Sequence, residues 1–430
     1  VSASVSRLAG YVRRVVDAEL DDLLTGLPAI SIEGPKAVGK TATARRRAET
    51  VFRLDDPATL EVVRADPGRL VDGAQPVLID EWQRFEPSWD VVRRAVDDDP
   101  RPGRFLLTGS ATPSHRSTHS GAGRIVRLRM RPLTLAERGV EAPTVSLAEL
   151  LRGGRPELSG STSVGLREYV TELLAGGFPA MRDPSERVRR VALDGYLDAI
   201  TDVDLPELGV SIRRPATLRR WMAAYAAATA TATSYDKIRA AASGRGGETP
   251  ARTTAIPYRE ALERLWIVEP LEAWTPSRSH LQRLAQAPKH HLADPALAAR
   301  LVGVDAGALL AGEGPSVIAR DGTFLGALFE SLVVLSVRVF AQAAQARVSH
   351  FRTRGGEREV DVIVERGDGR VLAIEVKLSA TIEDSDVEHL AWLRRQIGDD
   401  LVDAIVVTTG KHAFRRVDGI GVVPLALLGP

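Results

Sequence analysis

Gly34, Pro35, Lys36, Ala37, Val38, Gly39, Lys40 and Thr41 follow the spacing G-x-x-x-x-G-K-[ST] at every fixed position. The glycines let successive backbone N–H groups curl around an anion. Lys40 then supplies an ammonium for β- and γ-phosphates, and the Thr41 hydroxyl is a ligand for Mg²⁺. ATP with Mg²⁺ is the ligand this pattern fits. Further along, Pro76-Val-Leu-Ile-Asp80-Glu81 is an apolar run ending in two acids. Asp80 is placed to bind the Mg²⁺ water shell beside Thr41, and Glu81 to polarise an attacking water as general base. A third apolar run, Arg104-Phe-Leu-Leu-Thr108, ends before Gly109-Ser110. There Thr108 is set to sense a γ-phosphate or position the water, and an ordinary strand end with a turn is the alternative. Arg116, Arg124 and Arg127 are each candidates for an arginine finger, and the sequence does not choose among them.

A second constellation lies near the C-terminus. Glu359-Val-Asp361-Val-Ile-Val-Glu365, a turn at Arg366-Gly-Asp-Gly-Arg370, and Val371-Leu-Ala-Ile-Glu375-Val-Lys377 read as an antiparallel hairpin centred on Asp368. In that register Asp361 faces Glu375 and Glu359 faces Lys377. Val360 faces Val376 and Val362 faces Ile374 on the other side. Like charges directly opposed destabilise a sheet by up to about 1 kcal/mol. A second divalent metal shared by Asp361 and Glu375 would remove that cost, with Lys377 steadying a water or phosphate. The alternative is a surface hairpin with Glu359 and Lys377 paired across it. The pattern D-x(13)-E-x-K resembles the PD-(D/E)XK metal-dependent nucleases, which also place an acid on a preceding helix. Glu330, in Thr323-Phe-Leu-Gly-Ala-Leu-Phe-Glu-Ser-Leu, is the candidate for that acid.

The elements needed to position these groups follow from local pattern. Pro28–Glu33 reads as a buried strand ahead of the glycine loop, and Ala42–Thr50 as the helix after it. Ile125–Met130 alternates like an edge strand. Residues 144–165, rich in Gly, Ser and Thr, read as a loop or linker. Helical spacing runs from Gly176 to about Leu208, and Ala216–Ala232 reads as an alanine-rich helix. Ser234–Ser243, a Gly-rich loop, Thr254–Leu265 and the alternating Trp266–Trp274 have the order of a winged helix. Its second helix mixes Arg259 and Arg264 with Glu260 and Glu263, so it is not strongly basic, and a structural connector is the alternative to DNA binding.

With 430 residues the chain is too long for one ordinary core. The divisions expected are 1–140 for the nucleotide domain, 141–210 for a helical lid or linker, 211–280 for the winged-helix region and 281–430 for the nuclease-like domain. The apolar runs fall short of the roughly 18 residues that span a bilayer, so no membrane partner is expected. Zero cysteines remove disulfides and thiolate chemistry, and a cytoplasmic protein is the expectation. The formal charge is only +1, yet six of the 57 basic residues are lysines: Lys36, Lys40, Lys237, Lys289, Lys377 and Lys411. A chain that otherwise writes arginine has a reason wherever it writes lysine.

Together GPKAVGKT, PVLIDEWQ, RFLLTGSA, GRIVRLRMRPLTLAERG, KHHLADPAL and FRTRGGEREVDVIVE…IEVK resemble a large prokaryotic family. Its members are AAA-type ATPases followed by a C-terminal domain of unknown function with a nuclease-like core. The resemblance implies an α/β fold: a P-loop AAA-type domain, a helical and winged-helix middle, and a restriction-endonuclease-like C-terminal domain. It implies ATP binding at Gly34–Thr41 and metal-water chemistry at Asp80 and Glu81. Two functional expectations follow. One is an ATPase coupled to a module acting on or near nucleic acid, with DNA as partner. The other is a signalling or scaffold ATPase whose nuclease-like domain is inactive and binds a protein. A homo-oligomer is a further possible partner state, since AAA-type enzymes often complete their site with a neighbour's arginine.

Overall fold

The structure, a computed structural model, describes residues 10–110, 121–182, 185–210, 212, 214–243, 249–274, 287–311, 324–353 and 355–430. Two compact units emerge. One comprises Val1–Pro132 with Phe178–Ala180 and Arg264–Ile267, and the other comprises the rest.

In the first unit, β1 (Ala29–Glu33), β2 (Thr50–Arg53), β3 (Val77–Asp80), β4 (Phe105–Gly109) and β5 (Ile125–Arg129) form one sheet in the order β2-β3-β4-β1-β5. All its pairings are parallel. A parallel sheet covered on both faces calls for nearly continuous apolar strands, and β1, β3 and β4 are buried along their whole length. On one face lies the helix Pro87–Asp98, which opens on proline and turns Trp89, Val92 and Val96 inward. Those residues join Trp82, Val77, Ile79, Phe105 and Leu107 in a single core. Because Asp80 pairs with Thr108, and Thr108 with Ile32, the carboxyl ends of β3, β4 and β1 finish level. Ligands of open parallel sheets bind at such ends.

Two local expectations change. The helix after the glycine loop is Lys40–Arg45, not Ala42–Thr50. Gly39, at φ +100°, starts it early, and Thr50–Arg53 leaves it to become β2, whose alternate burial suits a half-buried strand. Residues 144–165 are not a bare linker. They contain β6 (Val145–Ser146) and the helix Leu147–Arg152, with Leu147, Leu150 and Leu151 buried.

The second unit carries β7 (Arg347–Arg352), β8 (Glu359–Glu365), β9 (Val371–Lys377), β10 (Leu401–Thr408), β11 (Phe414–Arg415) and β12 (Gly421–Pro424) in one sheet ordered β11-β12-β10-β9-β8-β7. β8 runs antiparallel to both β7 and β9, while β10 is parallel to β9 and β12. A last short strand, β13 (Leu428–Gly429), pairs in parallel with β6. The β8–β9 ladder has the expected register: Val362 opposes Ile374, Val364 opposes Leu372, and the turn spans Arg366–Arg370. The helix Phe324–Ala343 packs on β7, β8 and β9. Contrary to the reading of short apolar runs, it is long and apolar enough by length and composition to cross a membrane. Most of it is buried against the rest of the unit, as a core helix is.

The helices Tyr235–Ala241 and Arg252–Arg264 are present. In the stretch read as the strand of a wing, Val268 and Leu271 make antiparallel bridges to Leu292 and Lys289. Ala273 bridges to His350 of β7. The alanine-rich helix is Pro215–Ala227, shorter than expected at its C-terminal end.

Candidate functional site

The glycine loop leaves β1 with its backbone committed to an unusual path. A Cβ on Gly34 would lie 2.0 Å from the Met130 carbonyl oxygen, so only glycine fits. Ala37 and Gly39 both take positive φ. At the start of the following helix Lys40 is 6% exposed, and its Nζ donates to the carbonyls of Gly34 at 2.9 Å and Pro35 at 2.8 Å. Burial lowers its pKa to about 8, against the pull of Glu81.

Asp80 is the hub. The Thr41 hydroxyl donates to Asp80 Oδ1 at 2.8 Å, and the Thr108 hydroxyl, fully buried on β4, donates to the same oxygen. Thr41 and Asp80 thus set two hard oxygen donors side by side at the mouth of the loop, a donor set that fits Mg²⁺. Thr108, read as a γ-phosphate sensor or water holder, has its hydroxyl committed to Asp80. Glu81 follows in the left-handed region at φ +54°. Its Oε2 accepts from the Gln83 side-chain amide, which also donates to Ser110 Oγ at 3.3 Å. Gln83 and Ser110 were missed from sequence, since neither residue type marks itself. Arg124 bonds Asp97 at 2.7 Å and Arg127 lies 3.4 Å from Glu33. Arg116 lies outside the described residues.

In the second unit Glu330 and Asp361 meet at a residue that sequence reasoning did not assign, while Glu375 pairs with Lys377. Lys289 is 2% exposed. Its ammonium sits 2.9 Å from Glu330, 2.8 Å from Glu359 and 2.8 Å from Asp361. Backbone bonds in both directions between Lys289 and Leu271 hold it there. Asp361 also accepts from the Val376 N–H at 2.9 Å. Lys377 lies 3.3 Å from Glu375 and Glu359 lies 2.8 Å from Lys289, so the Glu359–Lys377 ion pair expected as the alternative is not made.

Electrostatics follow from this arrangement. Burial opposes the charge of Asp361, yet Lys289 and the Val376 N–H hold its pKa below the ordinary carboxylate value. Burial pushes Glu330 up to about 8 in spite of Lys289. Burial and the Asp361 charge push Glu375 well above its usual range, and its Oε2 is buried without a hydrogen-bond partner. A divalent cation does not fit here. Three carboxylates already converge on an ammonium, and a metal would sit against that positive charge with mainly Glu375 left to hold it. Among the described residues no group of His, Asp or Glu is arranged as a metal site.

Beside this cluster His291 is wholly buried, and neither ring nitrogen has a partner. Burial first, then Arg338 and Lys289, lowers its pKa well below 6.5. The folded protein therefore keeps His291 neutral while the unfolded chain protonates it, and stability is lost as pH falls below 6.5. Removing the imidazole removes that loss. The unfolding free energy of His291→Leu should gain on the wild type by about 1.4 kcal/mol for each pH unit below 6.5, read from denaturant melts. A difference independent of pH would show that the ring is protonated in the fold.

Three family models match the chain. Residues 27–138 match an AAA domain, residues 166–308 a domain of unknown function (DUF8612), and residues 325–428 a domain of unknown function (DUF4143). Two curated relatives, uncharacterized proteins of Mycobacterium bovis and Mycobacterium tuberculosis, are each 28% identical over 433 residues. Each alignment covers 99% of this chain and 86% of the relative. Among solved structures, a Walker-type ATPase of Pyrococcus abyssi aligns with a TM-score of 0.39 at 15% identity, over 68% of this chain and 98% of that one. Loop motif, parallel strand order and family match agree that residues 27–138 form a P-loop domain of the AAA type.

Proposed function

We propose that the chain hydrolyses ATP with Mg²⁺ at the carboxyl ends of β1, β3 and β4. The observation that carries this is the shared Asp80 oxygen, on which the hydroxyls of Thr41 and Thr108 converge beside the phosphate loop. The backbone of Gly34–Thr41 cradles the phosphates, and Lys40 moves its ammonium from the loop carbonyls to the β- and γ-oxygens. Thr41 and Asp80 would hold the Mg²⁺, whose charge would offset that of the phosphates. Thr108 fixes the Asp80 carboxylate, acting through it rather than on the substrate. Glu81 takes the proton of the attacking water, and Gln83 orients its carboxylate until then.

For the second unit, the three-stranded antiparallel run β7-β8-β9, the parallel β10 and the preceding acid-bearing helix support a nuclease-like core. The nucleic-acid reading draws on that core and on the winged-helix order of 234–274. The protein-partner reading is favoured by Lys289, which occupies the carboxylates that a metal-dependent cutting centre would need. A formal charge of +1 also leaves little of the basic field that nonspecific DNA binders use.

Steady-state ATP hydrolysis by the wild type and by Lys40→Ala, with and without double-stranded DNA, tests both parts. Lys40→Ala should lose about 10²-fold or more, the scale for removing one preorganised charge-stabilising donor. Equal rates in the two proteins would reject the ATPase reading. Stimulation by DNA would move the second unit to the nucleic-acid reading, while indifference to DNA supports a protein partner.

A further inference from the structure

We propose that the Lys289 ammonium is the resident cation of the acidic centre in the second unit, standing where a divalent metal would sit, and that removing its charge turns the centre into a divalent-cation site built from Glu330, Glu359 and Asp361. The inference deepens the protein-partner reading of this unit, because a centre closed by its own cation has no metal chemistry to offer.

The geometry points there directly. An ammonium has three N–H donors, and here each has one carboxylate oxygen at 2.8–2.9 Å. The three acids come from two elements: Glu330 from the helix Phe324–Ala343, Glu359 and Asp361 from β8. Lys289 arrives on a third segment, fixed by its backbone bonds to Leu271. Converging oxygens on one enclosed point are what a hard cation requires, and Mn²⁺ or Ca²⁺ would need them only a few tenths of an ångström closer. Truncating the lysine leaves that point vacant, and the unpartnered Glu375 Oε2 stands in the same acidic group as a further oxygen. Charge says the same. With Lys289 in place a second, doubly charged cation would meet an ammonium at contact distance. Without it, the cations left near the three carboxylates among the described residues are Lys377, whose charge acts on Asp361, and Arg352, 3.7 Å from Glu359.

The test counts Mn²⁺ bound to the full, nucleotide-free chain by electron paramagnetic resonance. Lys289→Ala should bind one Mn²⁺ more per chain than the wild type. Adding Asp361→Asn should weaken that extra site at least about tenfold, since loss of even an outer partner of a metal ligand costs about 10–100-fold. In the wild-type background Asp361→Asn should leave the count unchanged. A wild-type Mn²⁺ site that disappears with Asp361→Asn would overturn the proposal, as would a folded Lys289→Ala chain with no extra site. Lys289→Ser, which also removes the charge and leaves the point open, gives the same reading if the alanine variant does not fold. If neither folds, the comparison of wild type with Asp361→Asn decides alone. None of these counts depends on ATP turnover or on finding a partner, so failure of the functional reading leaves them intact.

Discussion

Replacing Glu81 with glutamine lowers the rate of ATP hydrolysis by about 10²–10⁴-fold, the usual contribution of a general base, while nucleotide still binds. The expectation rests on where Glu81 stands. It follows Asp80 at the end of β3 and takes a left-handed backbone conformation, φ +54°, rare for a residue with a side chain. That turn carries its carboxylate off the strand axis and onto the Gln83 amide. Glutamine has the same shape and can keep a hydrogen bond to Gln83, so the fold is undisturbed and only basicity is lost. Asp80→Asn is the contrast. Its carboxylate receives Thr41 and Thr108 at once, and the amide weakens both the metal site and the placement of Thr41. Turnover at fixed protein concentration, with nucleotide affinity measured separately, distinguishes them. Glu81→Gln should lose rate with affinity kept, and Asp80→Asn should lose both. Wild-type turnover in Glu81→Gln would place the base elsewhere.

The nucleotide site was legible in the sequence because its parts are local. Eight consecutive residues make the loop, and each of Asp80 and Thr108 closes an apolar strand. What the sequence did not show was the meeting of Thr108 with Asp80, which depends on β4 lying between β3 and β1. Strand order is a long-range property, and a polar residue ending a strand reads the same wherever the strand goes. The β8–β9 register was legible for a similar reason, since a short turn fixes the pairing of both strands. By contrast, residues 144–165 read as linker because β6 finds its partner, β13, at the far end of the chain.

Lys289 marks where legibility ended. Composition singled it out as one of six lysines among 57 basic residues, and nothing near it in sequence explained why. Its partner Asp361 is 72 residues away and Glu330 is 41. Lysine suits the point because a compact ammonium offers three donors in three directions, whereas the planar guanidinium of arginine needs a flat, wider cleft. The opposed carboxylates of the hairpin pointed to a divalent cation shared by Asp361 and Glu375, whereas Asp361 meets the Lys289 ammonium. They could not say that the chain brings its own.

Lys289→Met should therefore destabilise the second unit by about 3–5 kcal/mol at neutral pH, the range for breaking a buried ionic cluster from one side. The loss comes from the acids left behind rather than from the lysine stem, whose apolar length methionine replaces. Two consequences separate this from a packing defect. Adding Asp361→Asn to Lys289→Met removes one stranded charge and should restore part of the loss, a coupling absent if the two sites act independently. The deficit should also depend on pH. Without the ammonium, Asp361 loses what holds its pKa down against burial and joins Glu330 in having a folded pKa raised above its unfolded one. Such groups stay protonated in the fold while the unfolded chain ionises, so stability is present below the ordinary carboxylate range and falls as pH rises above it. In the wild type Asp361 has the opposite sign, its pKa held down, and its contribution is present above that range. The gap between wild type and Lys289→Met should accordingly be smallest near pH 4 and widen toward neutrality, as followed by denaturant unfolding. A gap of the same size at both ends would mean that the methionine simply packs badly, and that the three carboxylates never relied on Lys289 for their charge.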